Sequence, residues 1–207
     1  MGISGKTKTV GIFGYPIEHT LSPLMHNTAF KALGLDLCYI AFAVAPKHLP
    51  EAVNAIKGLD LLGVNITVPH KENVIPLLDK IDKEASFINA VNTIVNKQGK
   101  LTGYNTDGRG FMKSLSEKGI STRGKDIFVV GAGGASRAIS YYLSEKASKL
   151  FLYDINQPKA KKLVNDLGKI RKNVFLIKNI KDIYKPHVII NATPLGLKPA
   201  DPLPLNP

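Results

Sequence analysis

The sequence predicts an α/β protein of two domains, in which most strands run parallel. Strand-like and helix-like segments alternate along nearly all of the 207 residues, which is typical of strands joined by helical crossovers. A glycine-rich turn at residues 131–136 separates a strand-like run from a helix-like run. The polar stretch STRGKD indicates a turn between the two halves, so we place the domain boundary within residues 107–123.

The predicted first domain covers residues 1–107. Short runs rich in β-branched and aromatic residues predict its strands, and longer runs of mixed polarity predict its helices. One helix has Ser22 as its N-cap, Pro23 in its first turn and Gly34 after its end. The predicted strands are residues 9–14, 38–44, 63–68, 90–96 and 100–105, and the predicted helices are residues 22–34, 46–59 and 71–82.

The predicted second domain covers residues 108–207 and follows a connecting helix at residues 106–119, with Asp107 as its N-cap. Four strands are visible in it, in the segments DIFVV, KLFLYD, NVFLI and HVIINA. A complete dinucleotide-binding fold of the Rossmann type has six strands. Because the chain stops in the proline-rich stretch KPADPLPLNP, we expect an incomplete Rossmann-type domain and a truncated C-terminus.

The glycine-rich turn indicates dinucleotide binding. Gly131 allows a tight turn, and Gly133 lets backbone N–H groups approach a pyrophosphate at the start of a helix. Asp154 ends the next strand about 20 residues later, where an acidic residue can bond a ribose 2′-hydroxyl. Ser136 replaces the third glycine of the fingerprint. The alternative is that Asp154 caps the turn at residues 155–156.

Polar residues in the first half stand at the ends of predicted strands, where open α/β sheets bind ligands. Lys71 is the unusual member, because it falls in the first turn of a predicted helix, where the helix dipole disfavours a cation. Each residue also has a structural alternative as a cap, a turn or an ordinary strand residue. Together they suit a small polyhydroxylated acid, with Lys71 and Asp107 for acid–base chemistry. The candidates are Thr20, Ser22, Asn65, Thr67, Lys71, Asn92, Asn105 and Asp107.

Composition narrows the function classes. The net charge of +12 is divided into +1 for residues 1–107 and +11 for residues 108–207, so an anionic partner belongs with the second half. Its lysines lack interleaved aromatic residues, and we predict a solvated surface without nucleic-acid binding. One cysteine, Cys38, and no secretory signal favour the cytoplasm. We also predict no membrane segment and no metal, because long apolar runs and metal-ligand spacings are missing from the sequence.

Six motifs in order give the chain its resemblance to a known family. HTLSP, NITVPHK, NAVNT, YNTDG, GAGGASRA and NATPLG follow one another as they do in shikimate dehydrogenases. The resemblance implies NADPH-linked reduction of 3-dehydroshikimate to shikimate, with Lys71 and Asp107 as the catalytic pair. It also implies substrate contacts at Thr20, Ser22, Thr67 and Asn92, and the position of Asn65 at a strand end adds that residue to the predicted contacts. The cofactor contacts it implies are Gly131, Ala132, Gly133, Gly134, Ala135, Ser136, Asp154, Ile155, Asn156, Lys159 and Thr193.

The chain departs from the family pattern in three places. Thr20 replaces a serine, which leaves a quinate or quinate/shikimate dehydrogenase as an alternative. The cofactor-selecting stretch is DINQPK where the family has NRTxxR, and Asp154 favours NAD(H) where the family uses NADP(H). The family also continues past residue 207, so an alternative of another class is a non-catalytic dinucleotide-binding fragment. We expect a monomer or a homodimer.

Overall fold

The computed structural model describes residues 2–183, 185–196 and 200–205. The chain folds into two compact units, Met1–Thr106 and Asp107–Pro207, which are called the first and the second unit below. The division of labour predicted for residues 1–107 and 108–207 stays a prediction.

The first unit contains a mixed sheet whose order, among its described residues, is β2-β1-β3-β5-β6-β4. Strand β1 runs parallel to β2 and β3, whereas β5 runs antiparallel to β3 and β6, and β4 is parallel to β6. The elements are β1 (Lys8–Gly14), α1 (Ser22–Ala32), β2 (Leu37–Ala43), α2 (Leu49–Gly58), β3 (Gly63–Ile66), β4 (Lys80–Ile81), α3 (Lys83–Ile88), β5 (Thr93–Lys97) and β6 (Lys100–Tyr104), with 3₁₀ turns at Pro46–His48 and Ile75–Leu77.

Turn chemistry and apolar burial hold the first sheet together. Gln98 and Gly99 both have positive φ, of 53° and 80°, as a two-residue hairpin loop between β5 and β6 requires. Helix α2 buries Val53 and Ile56 against the sheet, where Ile66 is 2% exposed. This core fixes the strand ends that carry the polar candidates.

The second unit contains a parallel sheet of order β10-β7-β8-β9 in the described part of the chain. Its central strands β7 and β8 bury apolar residues such as Phe128 and Leu152 completely, as strands covered on both faces do. The elements are α4 (Asp107–Glu117), β7 (Asp126–Val130), α5 (Gly134–Lys146), β8 (Lys149–Tyr153), α6 (Gln157–Gly168), β9 (Val174–Leu176), a 3₁₀ turn at Ile180–Asp182 and β10 (Val188–Asn191).

The predicted helix at residues 71–82 is wrong. Residues 71–74 form turns, the 3₁₀ turn follows, and β4 occupies part of the remainder. Pro76 would lie in the interior of that helix, where it offers no N–H group and its ring clashes with the carbonyl of residue 72. Lys71 therefore does not stand in the first turn of a helix, and the electrostatic objection to it disappears.

Both predicted N-caps are also wrong in detail. Helix α1 begins at Ser22 itself, with Leu21 before it and no side-chain cap, and α4 likewise begins at Asp107. Gly34 does follow the end of α1 with a positive φ of 65°. Helix α3 was missed, although Asp82 caps it by accepting a hydrogen bond from the Glu84 N–H group.

Candidate active site

Lys71 lies in a loop that hydrogen bonds fasten to neighbouring segments. The Lys71 carbonyl accepts a hydrogen bond from the Val91 N–H group at 2.8 Å, and the Val68 carbonyl accepts one from Tyr15 at 3.1 Å. The Lys71 side chain is half-buried. A backbone held on both sides gives the ammonium group a defined starting point in the first unit.

His70 adds a buried anchor to the same loop. Its ring is completely buried, and Nε2 lies 2.7 Å from the Val44 carbonyl oxygen. Nε2 must carry a proton there, because a carbonyl oxygen can only accept a hydrogen bond. Among the described residues, Nδ1 has no hydrogen-bond partner. Sequence reasoning did not single out His70, because its partner lies 26 residues away in the chain.

Two hydroxyl groups begin a chain of polar contacts in the first unit. Thr20 Oγ1 donates to Ser22 Oγ at 3.1 Å, and the Ser22 hydroxyl lies close enough to the Tyr39 hydroxyl to lower its pKa. Tyr39 donates in turn to Asn65 Oδ1 at 2.7 Å. Burial raises the pKa of Tyr39 to about 12, although the neighbouring Ser22 hydroxyl acts in the opposite direction. Tyr39 therefore keeps its proton at neutral pH and remains a donor to Asn65.

The amide of Asn65 extends this chain to Asn92. Asn65 Nδ2 donates to the Asn92 carbonyl at 3.3 Å and to Thr93 Oγ1 at 3.2 Å. Thr93 Oγ1 donates to Asn92 Oδ1 at 2.9 Å, and Asn92 Nδ2 donates to Thr106 Oγ1 at 3.0 Å. Residues 39, 65, 92 and 93 thus form one hydrogen-bonded set, and the bonded pair of residues 20 and 22 lies beside Tyr39. We call these six residues the polar network.

The polar network brings together four of the predicted substrate residues. Tyr39 and Thr93, which sequence reasoning missed, connect them, and a buried tyrosine in the strand CYIAFAV was the one available signal. Thr67 is half-buried just beyond β3, and the hydrogen bonds described for the network do not include it. Asn105 is buried and donates to the Ala90 carbonyl at 3.0 Å. Lys71 belongs to the first unit and Asp107 to the second.

Gly131 is required by the fold of the second unit. Its φ is +107°, and a Cβ there would lie 2.7 Å from the Ala192 carbonyl oxygen. Its N–H group donates to the Tyr153 carbonyl at 2.7 Å. A residue with a side chain would therefore suffer both backbone strain and a clash.

The space around Gly133 and Gly134 is open, whereas Gly131 is closely surrounded. A Cβ at either position would meet nothing within 4 Å, so the packing of the described residues does not demand glycine there. Gly133 precedes α5 and Gly134 begins it, while Ser136 is wholly buried at the site of the family's third glycine. The open backbone at a helix N-terminus is the geometry that a pyrophosphate needs. We call residues 131–136 the glycine turn; within it Ala132 is buried and Ala135 is exposed.

Both carboxylate oxygens of Asp154 accept hydrogen bonds from backbone N–H groups. Oδ2 accepts a hydrogen bond from the Ala132 N–H group at 2.7 Å, and Oδ1 accepts one from Asn156 at 2.8 Å. The alternative in which Asp154 caps the turn at residues 155–156 is therefore present in the structure. The predicted contact with a ribose hydroxyl stays a prediction.

The other predicted cofactor residues lie around the same end of the second sheet. Ile155 is 91% exposed, and Asn156 caps α6 by accepting from the Lys159 N–H group at 3.2 Å. The Lys159 side chain is exposed. Thr193 follows β10 and donates from Oγ1 to Asn191 Oδ1 at 2.7 Å. Because β10 and β8 both flank β7 in parallel, these residues share the edge where open α/β sheets bind nucleotides.

Two further classes of site have no counterpart in the described ranges. None of the helices there has the length and apolarity that a membrane span needs. No three His, Cys, Asp or Glu side chains gather there as a metal site would require. The prediction that the protein needs no metal stays a prediction.

Comparisons with known proteins identify relatives of this chain. Residues 12–94 match the family described as the shikimate dehydrogenase substrate binding domain. The chain is 44% identical over 202 residues to the shikimate dehydrogenase (NADP(+)) of Carboxydothermus hydrogenoformans, covering 96% of this chain and 72% of that protein.

Solved structures show the same fold. Shikimate dehydrogenase from Aquifex aeolicus superposes with a TM-score of 0.92 at 39% identity, over 99% of this chain and 76% of that one. Shikimate 5-dehydrogenase from Listeria monocytogenes, in complex with shikimate and NAD, gives a TM-score of 0.88 at 37% identity, over 95% of this chain and 72% of that one. The predicted α/β fold class and the predicted resemblance are confirmed. This chain belongs to the shikimate dehydrogenase family.

Proposed function

We propose that this chain reversibly reduces 3-dehydroshikimate to shikimate with NADPH, a step toward chorismate and the aromatic amino acids. The polar network carries the proposal, because it collects the hydroxyl and amide groups that a polyhydroxylated acid requires. The network adjoins the loop of Lys71, since Asn92 follows Val91, whose N–H group holds the Lys71 carbonyl. Family membership and the relative named for NADP(+) support the same activity and cofactor.

The hydroxyl groups of Thr20 and Ser22 suit the substrate carboxylate. They lie 3.1 Å apart, and both can rotate their protons outward to donate to two carboxylate oxygens. Tyr39 continues to hold Asn65 when Ser22 turns away, because its hydroxyl proton is directed to Asn65 Oδ1. The amides of Asn65 and Asn92 are thereby kept in fixed orientations for the ring hydroxyls.

Lys71 supplies the proton in this proposal. Reduction of a ketone adds a hydride to the carbonyl carbon and a proton to its oxygen, and the bound nicotinamide supplies the hydride. An ammonium group held at a defined position can deliver the proton in this direction and accept it in reverse. Asp107 is the partner carboxylate by family resemblance, where it keeps the ammonium group charged.

The second unit holds the dinucleotide in this proposal. The glycine turn offers open backbone at Gly133 and Gly134 for the pyrophosphate, and exposed Lys159 offers a positive charge for the 2′-phosphate of NADP. Thr193 belongs to the same edge of the sheet. NAD(H) is the alternative cofactor that the sequence predicts, because an acidic residue stands at the position of Asp154.

Rates of reduction of NADP⁺ and NAD⁺, measured separately with shikimate and with quinate, test the proposal. We expect turnover of shikimate with NADP⁺ at the highest kcat/KM of the four combinations. A higher value with quinate or with NAD⁺ would identify the alternative enzyme. Cofactor binding without turnover of either acid would identify a non-catalytic dinucleotide-binding protein.

Three further expectations accompany this function. We expect a monomer or homodimer that acts in the cytoplasm on small molecules, without nucleic acid or membrane partners. The high positive charge of the second unit then serves the anionic cofactor and solubility. Absence of a salt-dependent interaction with DNA would support this assignment.

A further inference from the structure

Two consecutive N–H groups of the glycine turn are held by Tyr153, the last residue of β8, and by Asp154, which follows it. Gly131 donates to the Tyr153 carbonyl at 2.7 Å, and Ala132 donates to Asp154 Oδ2 at 2.7 Å. The second contact joins residues 22 positions apart. The end of β8 thus determines the path of the glycine turn before α5 begins.

The second oxygen of Asp154 holds the turn that leads into α6. Oδ1 accepts from Asn156 at 2.8 Å, and the Asp154 carbonyl accepts from Gln157 Nε2 at 2.9 Å. Hydrogen bonds to a carboxylate are stronger than those between neutral groups. The two bonds that the Asp154 carboxylate accepts, from Ala132 and from Asn156, are both short. One carboxylate therefore ties together the two turns that border the expected cofactor position.

This arrangement changes which groups face the cofactor. The Ala132 N–H group is committed to Asp154, so the pyrophosphate is left to the N–H groups that follow it, from Gly133 onward. The negative charge of Asp154 is directed at two N–H dipoles. Neither of these contacts depends on whether the ribose carries a 2′-hydroxyl or a 2′-phosphate.

We infer that Asp154 is a positioning residue for the glycine turn and supports NADP and NAD binding equally, without selecting between them. This inference rests on the proposed cofactor binding. It replaces the simplest expectation from the sequence, in which this carboxylate accepts a hydrogen bond from the ribose 2′-hydroxyl and repels a 2′-phosphate.

Dissociation constants of NADPH and NADH for Asp154→Asn and Asp154→Ala test the inference directly. Asparagine keeps one acceptor and alanine keeps none, so we expect both cofactors to bind about tenfold more weakly in Asp154→Asn and weaker still in Asp154→Ala. The ratio of the two constants should change less than fivefold. A change of fivefold or more would overturn the inference. Asp182→Asn, at an exposed position, controls for the loss of one negative charge.

Amide hydrogen exchange in the wild-type protein gives a second test that does not depend on the folding of a variant. We expect the amides of Ala132 and Asn156 to be protected in the free protein and to stay protected when NADPH is saturating. Faster exchange at Ala132 in the complex would show that the carboxylate turns to the ribose, and would overturn the inference. If the wild type bound neither cofactor, the proposed function would fail. The rate of exchange at Ala132 in the free protein would still test whether its N–H group is bonded to Asp154.

Discussion

The polar network and the glycine turn reach their geometry by opposite routes. The network consists of side chains contributed by segments far apart in sequence, such as Tyr39 and Asn65, which lie 26 residues apart. The glycine turn consists of backbone groups from consecutive residues, and one distant side chain, Asp154, steadies it. Side chains that must discriminate among hydroxyl groups need a fold to gather them, whereas a pyrophosphate needs only properly placed N–H groups.

The largest effect on catalysis should come from Lys71, the proposed proton donor, and not from the polar network or the glycine turn. We expect Lys71→Ala to lower kcat about 100-fold or more, with a smaller change in KM, because proton transfer is lost while the polar network remains. Steady-state kinetics with shikimate and NADP⁺ measure both constants. An unchanged kcat with a raised KM would make Lys71 a binding residue.

A matched pair of substitutions separates the structural role of Gly131 in the glycine turn from the cofactor-binding role of Gly133. Gly131→Ala should destabilise the protein by about 2 kcal/mol or more, because φ is positive there and the new Cβ meets the Ala192 carbonyl. Gly133→Ala should leave stability nearly unchanged, since its Cβ meets no atom within 4 Å, yet weaken NADPH binding. Urea unfolding and cofactor titration of both variants make the measurement. Equal destabilisation of the two variants would contradict this assignment.

Tyr39 offers the corresponding test of the polar network. We expect Tyr39→Phe to raise KM for shikimate about fivefold to tenfold, because Asn65 Oδ1 loses its donor and the amide loses its orientation. Tyr15→Phe, at a residue that is 49% exposed, is the control and should leave KM unchanged. An unchanged KM in Tyr39→Phe would separate the network from substrate binding.

The same substitution should change the dependence of stability on pH, but only above about pH 10. The pKa of Tyr39 is about 12 in the folded protein and about 10 in an unfolded chain, so the unfolded state loses the proton first. Stability from this group is complete below about pH 10 and is lost as pH rises toward 12. The free energy of unfolding of the wild type should therefore fall more steeply over this range than that of Tyr39→Phe. Parallel curves would show that burial does not shift this pKa.

The contrast between the two regions also explains what the sequence could predict. The glycine turn, the hairpin at Gln98 and Gly99 and the order of most strands follow from local patterns, and the structure contains them. The prediction of a helix at residues 71–82 is wrong because the run of mixed polarity there contains Pro76, which a helix interior does not tolerate. Tyr39 and Thr93 were missed, since nothing local in a strand shows which distant amide its side chain meets. The contacts of Asp154 were undetermined for the same reason.

The central claim is that the polar network recognises the substrate and the glycine turn recognises the cofactor. Calorimetric titration of shikimate and of NADPH into Tyr39→Phe and Gly133→Ala tests it most directly. The account predicts that Tyr39→Phe weakens shikimate binding and leaves NADPH binding unchanged, and that Gly133→Ala does the reverse. If either variant weakened both ligands equally, or if Tyr39→Phe weakened NADPH alone, the assignment of the two regions would be contradicted.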